Sequence, residues 1–298
     1  MHDHSHCEHH PAPATYGSAF IVGIVLNSVF VLGELVFGIA NHSLSLLADA
    51  GHNLGDVLGL AMGWAAVFLA TKPVTSKYTY GYRRASILAA VGNSCLLLIG
   101  VGAIAWEAIQ RFSEPVAVPG TVVMAVAAVG ILINGGTALM FMAGRKGDIN
   151  REAAFAHMLT DAVVAAGVVV AGLAMQLTKW AWLDPAMSLV IVFLVAGSSW
   201  RLLRRSFDLA IDAVPDSIDI EAVKQHLEAI PGVTAVVDLH IWPVSSTQTA
   251  LTAHLVAPNG ISADVLESAQ HELSHDFAID HSTIQVHTDA EVGCALTY

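Results

Sequence analysis

Six long apolar runs follow one another up to about residue 208, and they constrain the possible folds of this chain more than any other feature. They cover roughly 17–39, 43–70, 83–110, 118–143, 153–177 and 183–203. A hydrocarbon core about 30 Å thick is crossed by about 20 residues of apolar helix. Only 13% of the residues are charged, against about 25% in ordinary soluble domains. We therefore predict an α-helical membrane protein with six transmembrane helices over residues 17–208.

The positive charges between these runs lie almost entirely on one side. That side carries Lys72, Lys77, Arg83, Arg84, Arg145, Lys146, Arg151, Arg201, Arg204 and Arg205, whereas the opposite side carries Arg111 and Lys179. Lysine and arginine are enriched in the cytoplasmic loops of membrane proteins. We therefore predict a chain integral to the lipid bilayer, with both termini in the cytoplasm.

After residue 208 the apolar pattern changes to short amphipathic elements. It predicts helices over 217–230 and 262–277, and half-buried strands over 233–242, 249–256 and 282–287. This α-β-β-α-β order is typical of a small α+β domain, here residues 209–298. The domain carries 13 Asp and Glu residues against the single Lys224, which disfavours nucleic acid and favours cations. An acidic surface that only keeps the domain soluble is an equally good interpretation.

Two of the membrane runs contain the same polar pattern, H-x-x-x-D, at His52–Asp56 and at His157–Asp161. Ionisable groups in a membrane span are costly and are functional candidates by default. The i, i+4 spacing puts each imidazole and carboxylate on one face of a helix. Two such faces together offer two nitrogens and two carboxylates, a set suited to a tetrahedral ion and above all to zinc. Manganese, cobalt, cadmium and iron(II) remain open, since affinity alone does not select among them.

Other polar residues are also expected at membrane depth. Asp49 lies three residues before His52, so it either accepts a hydrogen bond from that imidazole or lies at a water-facing helix end. Asn27, Glu34, Asn93 and Asn134 are interpreted as packing or pathway groups rather than as ligands.

These features together resemble the cation diffusion facilitators, from about residue 17 to the end of the chain. The similarity rests on the stretch Ser43–His52, on the second motif at His157 and Asp161, and on the run Asp238–Trp242. It is strongest for the zinc-transporting branch, in which both motifs begin with histidine.

The resemblance implies a homodimer in which each protomer exchanges zinc for protons across the membrane. Carried over to this sequence, the transport site is His52, Asp56, His157 and Asp161. For the C-terminal domain it implies a ferredoxin-like cytoplasmic fold that dimerises. The compact length favours a bacterial inner membrane.

A second zinc site, structural or regulatory, is implied in the cytoplasmic domain. Its ligands match His240, His254, His281 and His287 here, with imidazole replacing an acid at residue 287; Asp289 is an alternative at that end. Three other histidines lie on predicted helices and are interpreted as solvated surface residues: His226, His271 and His275.

Two loops and the N-terminal segment differ from relatives. The loop 71–84 contains neither Asp nor His, so we predict no metal site there, and the loop 144–150 is short and has no histidine. Residues 1–16 form a His-rich tail, with five histidines between His2 and His10. Such tracts bind zinc loosely, so the tail is predicted to be a cytoplasmic capture segment.

Three other functions are considered. An intramembrane metalloprotease would need H-E-x-x-H or an equivalent zinc site with a general base; we expect no such site and predict that the chain is not an enzyme. A membrane-anchored zinc sensor would not require six spans with two ligand pairs. A channel is disfavoured, because a four-ligand site with two carboxylates holds zinc too tightly for fast permeation.

Overall fold

Six long helices precede the C-terminal domain in the computed structural model, which describes residues 18–114, 116–142 and 149–288. They are α1 (Ser18–Ala40), α2 (Leu44–Ala70), α3 (Ala85–Ser113), α4 (Gly120–Met142), α5 (Ile149–Thr178) and α6 (Leu183–Ala210). Most predicted ends agree within about three residues, but α6 continues seven residues beyond its predicted end. The His-rich tail and Asp289 lie outside the described residues.

Four of these helices are long and apolar enough to cross a membrane. They are Ala85–Ser113, Gly120–Met140, Phe155–Thr178 and Leu183–Ala210. The described side chains of α1 form an apolar segment over Val25–Ala40. The protein therefore has a helical membrane domain with four candidate spans, and the count of six stays a prediction.

The chain divides into two compact units. Of the described residues, one unit comprises those in 18–57 and 99–196, and the other comprises those in 58–98 and 197–288. In the first unit, Phe30, Leu46, Val123, Val168 and Ile191 belong to one buried apolar cluster. Side chains from α1, α2, α4, α5 and α6 therefore share a core.

A pair of glycines allows α4 and α5 to approach closely. A methyl group on Gly120 would lie 2.5 Å from the Gly172 carbonyl oxygen, and one on Gly172 would lie 2.7 Å from the Met124 side chain. Small residues permit such close backbone contact between membrane helices. The position of α5 against α4 therefore depends on these two glycines.

The beginning of α2 is held by Asp184, a fully buried residue in the first turn of α6. Its carboxyl oxygens accept hydrogen bonds from the Ser43 hydroxyl at 2.7 Å, the Ser45 hydroxyl at 2.6 Å, the Leu44 N–H at 2.7 Å and the Ser45 N–H at 3.3 Å. The Ser43 hydroxyl also accepts from the Leu46 N–H at 3.3 Å. Since the first N–H groups of a helix have no partner within it, these contacts complete the N-terminus of α2.

The C-terminal domain has the predicted α-β-β-α-β order. Its elements are α7 (Ile220–Glu228), β1 (Ala235–Pro243), β2 (Thr249–Val256), α8 (Ala263–Phe277) and β3 (His281–His287). The sheet order is β1-β2-β3; β1 and β2 are antiparallel, and β2 and β3 are parallel, with α8 as the connection between them. This is a small mixed sheet, and the ferredoxin-like assignment stays an expectation.

The two faces of this sheet differ in character. Ile241, Leu251 and Leu255 belong to a buried cluster with Leu227 of α7 and Leu273 of α8. The strand register places the alternate positions on the other face. This second face carries Asp238, His240, Thr252, His254, His281, Gln285 and His287. Both helices therefore cover the apolar face, and the predicted cytoplasmic ligands all lie on the opposite one.

Candidate metal centre

The structure brings together the four predicted transport ligands, two from α2 and two from α5. His52 Nε2 lies 3.2 Å from Asp161 Oδ1 and 3.8 Å from Asp56 Oδ2. His157 Nε2 lies 3.2 Å from Asp56 Oδ2 and 3.6 Å from Asp161 Oδ2. Each carboxylate thus faces both imidazoles, and each imidazole faces both carboxylates.

These separations fit the edges of a tetrahedral coordination shell. Ligand atoms at the usual Zn–N or Zn–O distance of about 2.0–2.1 Å stand about 3.3–3.4 Å apart around one ion. The four N···O separations lie close to this value. Within the described part of the chain, His52, Asp56 and Asp161 form the one group of three ligating residues whose donor atoms all lie within 4.8 Å of one another. His157 lies outside this group, and the centroids of the His52 and His157 rings are 6.0 Å apart.

The orientation of the carboxylates also fits a shared central ion. Among the described residues, Oδ2 of Asp56 and Oδ2 of Asp161 are buried and have no hydrogen-bond partner. His157 Nε2 is nevertheless close to both. His52 Nε2 and Asp161 Oδ1, in contrast, are hydrogen-bonded at 3.2 Å. The two Oδ2 atoms are therefore the carboxylate oxygens that remain for a shared ion. A buried oxygen without a partner is otherwise costly, and a cation at the centre would remove that cost.

Access to the four ligands is uneven. The Asp161 side chain is 2% exposed, whereas those of His52, Asp56 and His157 are 20%, 31% and 40% exposed. The centre is therefore closed around Asp161 and most open at His157.

A second layer of buried polar residues lies beside the ligands. The Asn53 amide donates a hydrogen bond to Glu34 Oε2 of α1 at 3.2 Å, and both side chains are buried. Asp49 is 3% exposed, so it does not lie at a water-facing helix end. Asn53 follows His52 directly. Its hydrogen bond to α1 therefore fixes the rotational position of α2 about the helix axis, and with it the direction of the His52 side chain. The sequence interpretation had assigned Glu34 to packing or a pathway and had not considered Asn53.

The four predicted cytoplasmic ligands are not gathered in the same way. His254 Nδ1 lies 2.9 Å from His287 Nε2, and the two rings are stacked. His240 Nε2 instead lies 2.9 Å from Asp238 Oδ1, and the His281 ring faces Tyr80 with centroids 6.3 Å apart. All four lie on the open sheet face, but the structure of a single chain pairs only two of them.

One zinc-type sequence was missed. H-E-x-x-H occurs at His271–His275 in α8, so the expectation that the chain has no such motif is wrong. Its glutamate, Glu272, accepts from the Ser268 hydroxyl at 3.1 Å and lies 3.3 Å from His226 Nε2. The i, i+4 histidine spacing was the available signal, although both histidines are interpreted from the sequence as solvated surface residues.

The fold has a helical membrane domain in which two H-x-x-x-D motifs face each other from two helices, and sequence comparison shows its family. The chain belongs to the cation efflux family: the model of the cation efflux transmembrane domain matches residues 20–209. The model of the cation efflux protein cytoplasmic domain matches residues 215–289. The resemblance to the cation diffusion facilitators is thereby confirmed.

The similar proteins are bacterial metal transporters. The metal cation efflux system protein CzcD of Cupriavidus metallidurans is 33% identical over 95% of this chain and 89% of its own length. The zinc transporter ZitB of Escherichia coli is 34% identical, over 96% of this chain and 92% of ZitB. A cadmium, cobalt and zinc/H(+)-K(+) antiporter of Bacillus subtilis is 32% identical over 91% of this chain and 88% of its own length.

Solved structures also match. One of them is the metal-bound C-terminal domain of the CzcD transporter, which is 35% identical, covers 24% of this chain and 99% of that domain, and has a TM-score of 0.22.

Proposed function

We propose that this protein exports divalent metal ions, zinc foremost, in exchange for protons, through a site made of His52, Asp56, His157 and Asp161. The metal ion is the transported substrate. The observation that carries the proposal is the set of four N···O separations between 3.2 and 3.8 Å, two of which, His52–Asp161 and His157–Asp56, join α2 to α5. The named functions of ZitB, CzcD and the Bacillus antiporter support the same substrate class.

The donor set supports zinc more than magnesium or calcium. Those harder ions prefer an all-oxygen shell and more ligands, whereas this centre offers two imidazoles. Two imidazoles and two carboxylates also accept cobalt and cadmium, and both metals occur in the name of the Bacillus relative. We therefore expect zinc as the main substrate and a wider range at lower efficiency.

Exchange for protons follows from the chemistry of the ligands. A metal ion and a proton compete for the same imidazole lone pair and carboxylate oxygen, so metal binding releases protons. Proton return from the other side of the membrane would release the metal ion there. The proton gradient would in this way drive export without a nucleotide.

The remaining architecture is proposed with this function. Six spans, both termini in the cytoplasm and a bacterial inner membrane are supported by the six helices, the one-sided basic loops and the bacterial relatives. A homodimer with a ferredoxin-like cytoplasmic domain is supported by the match to the family's cytoplasmic dimer model.

A cytoplasmic zinc site of His240, His254, His281 and His287 is also proposed, with a structural or regulatory role. Its support is that all four residues lie on the sheet face that neither helix covers. His254 and His287 are already 2.9 Å apart. A second chain on this face could supply the ligands that one chain keeps apart.

The test is zinc flux into proteoliposomes under an imposed pH gradient. Wild type is compared with Asp161→Asn, which keeps the shape of the side chain but removes its charge and one metal-binding oxygen. The matched control is Thr160→Val, because that hydroxyl is exposed and bonds to the Ala156 carbonyl oxygen of its own helix. We expect flux at the level of empty liposomes in Asp161→Asn and near-normal flux in Thr160→Val.

Each other outcome has a defined meaning. Undiminished flux in Asp161→Asn would show that the four residues are not the transport site. Wild-type flux that ignores the pH gradient would disprove proton exchange but not metal export. Zinc binding without flux in wild type would favour a membrane-anchored sensor.

A further inference from the structure

His271 and His275 stand apart from both proposed zinc sites, and they have the spacing of metal ligands. They are four residues apart on α8, so both side chains leave the same face of the helix. Their rings are nearly parallel, at 9°, with centroids 6.2 Å apart, and both residues are exposed. Two histidines at i and i+4 of a helix are the zinc-binding pair of H-E-x-x-H sites.

A neighbouring carboxylate orients one of the two imidazoles. Asp276 Oδ1 lies 2.8 Å from His275 Nδ1. A carboxylate at Nδ1 holds the proton there and leaves the Nε2 lone pair free. Histidines that bind metals commonly have this arrangement, with the ring N–H donated to a carboxylate.

The same geometry does not support a protease site. Glu272, which would be the general base of a metalloprotease, is engaged by Ser268 and His226. Among the described residues no third His, Cys, Asp or Glu ligand atom completes a close group of three with the two histidines. Two protein ligands on an open helix face leave the other coordination positions to water.

We propose that His271 and His275 bind a zinc ion at the surface of the cytoplasmic domain, with two imidazole nitrogens as the protein ligands. The acidic character of this domain raises the local concentration of cations around the pair. Loose, water-exposed coordination suits reversible capture of zinc rather than a structural role. Zinc binding here does not depend on the proposed export function; only the capture role does.

The test measures zinc protection of individual histidines in the full chain in detergent. Diethyl pyrocarbonate modifies free imidazoles, and peptide mass spectrometry resolves His271 from the histidines of the other sites. We expect zinc to protect His271 and His275 over the same concentration range, because one ion is held by both.

The matched variant is His275→Gln, which removes the second imidazole. Position 275 is exposed, and glutamine keeps a neutral polar side chain without the nitrogen lone pair that binds zinc. We expect the zinc concentration for half-protection of His271 to rise at least about tenfold, equivalent to about 1.4 kcal/mol of binding free energy.

Two outcomes would overturn the proposal. One is modification of wild-type His271 that zinc does not slow. The other is equal protection of His271 in wild type and in His275→Gln, which would mean that His271 binds zinc without His275. Neither readout involves transport, so failure here would not bear on the proposed export.

Discussion

The membrane centre and the open sheet face of the C-terminal domain each contain four predicted zinc ligands, but the four side chains converge only in the membrane centre. On α2 and α5, four side chains converge so that every carboxylate faces both imidazoles. On the sheet, His254 contacts His287 and His240 contacts Asp238, as two separate pairs. The first region has the geometry of a metal site within one chain, and the second does not.

The difference has two physical causes. The i, i+4 spacing places two ligands at once on a rigid helix, so one close approach between two helices completes a set of four. On the sheet, the position of each ligand depends on the register of its own strand. Four ligands converge only if the registers of all three strands bring them together. In addition, the membrane interior offers no water to unpaired oxygens, whereas exposed histidines on the sheet can pair locally or with water.

The largest expected effect comes from loosening the start of α2. Asp184→Asn replaces an acceptor of four hydrogen bonds with an amide whose N–H groups would face the donors of Leu44 and the two serines. Because hydrogen bonds to a charged group are worth about 1.5–3 kcal/mol and buried unpaired donors are costly, we expect a loss of about 3 kcal/mol in folding free energy. The midpoint of thermal unfolding in detergent measures the change.

Two further variants test whether the hydrogen bonds between Asp184 and the N-terminus of α2 cause this loss of stability. Ser45→Ala removes one hydroxyl donor and should cost about 1 kcal/mol. Asp208→Asn changes an exposed aspartate of the same helix and should leave the midpoint unchanged. An Asp184→Asn midpoint equal to that of Asp208→Asn would show that the buried contacts do not hold α2.

A smaller effect is expected when Asn53, which fixes the rotational position of α2, is replaced. Asn53→Leu removes the hydrogen bond to Glu34 without touching a ligand. Changes to groups that orient metal ligands typically cost 10–100-fold in metal affinity or activity, so we expect the KM for zinc to rise by about tenfold or more. Asn41→Leu is the control, because Asn41 directly follows α1 and its amide donates only a local hydrogen bond to the Phe37 carbonyl oxygen. An unchanged KM in Asn53→Leu would mean that the centre does not need this support.

The smallest effect on transport is expected from the sheet. In His254→Ala we expect zinc flux within about twofold of wild type, because this residue is not part of the membrane centre, together with the loss of bound zinc from the cytoplasmic domain. Flux in proteoliposomes and zinc content after dialysis are measured on the same preparation. A collapse of flux in His254→Ala would make the cytoplasmic zinc essential to transport and would remove the contrast between the two regions.

Several features of the fold and centre were accessible from the sequence because they depend on local order. The helix and strand order of both parts, and the face shared by His52 and Asp56 or by His157 and Asp161, follow from periodicity. The expectation that the chain has no H-E-x-x-H was wrong: His271–His275 has the same i, i+4 spacing on a soluble helix, where both histidines are interpreted from the sequence as solvated surface residues.

The sequence by itself therefore determined the apolar helices, the α-β-β-α-β order and the two ligand pairs, because spacing along one helix or strand sets these. Only the tertiary structure decided that the pairs face each other, that Asp184 completes the N-terminus of α2, and that Glu34 is bonded to Asn53. Those contacts join positions 19 to 141 residues apart, and they depend on which helices lie side by side. Packing, such as the close contact at Gly120 and Gly172, determines which helices become neighbours. Local sequence patterns do not show which helices these are.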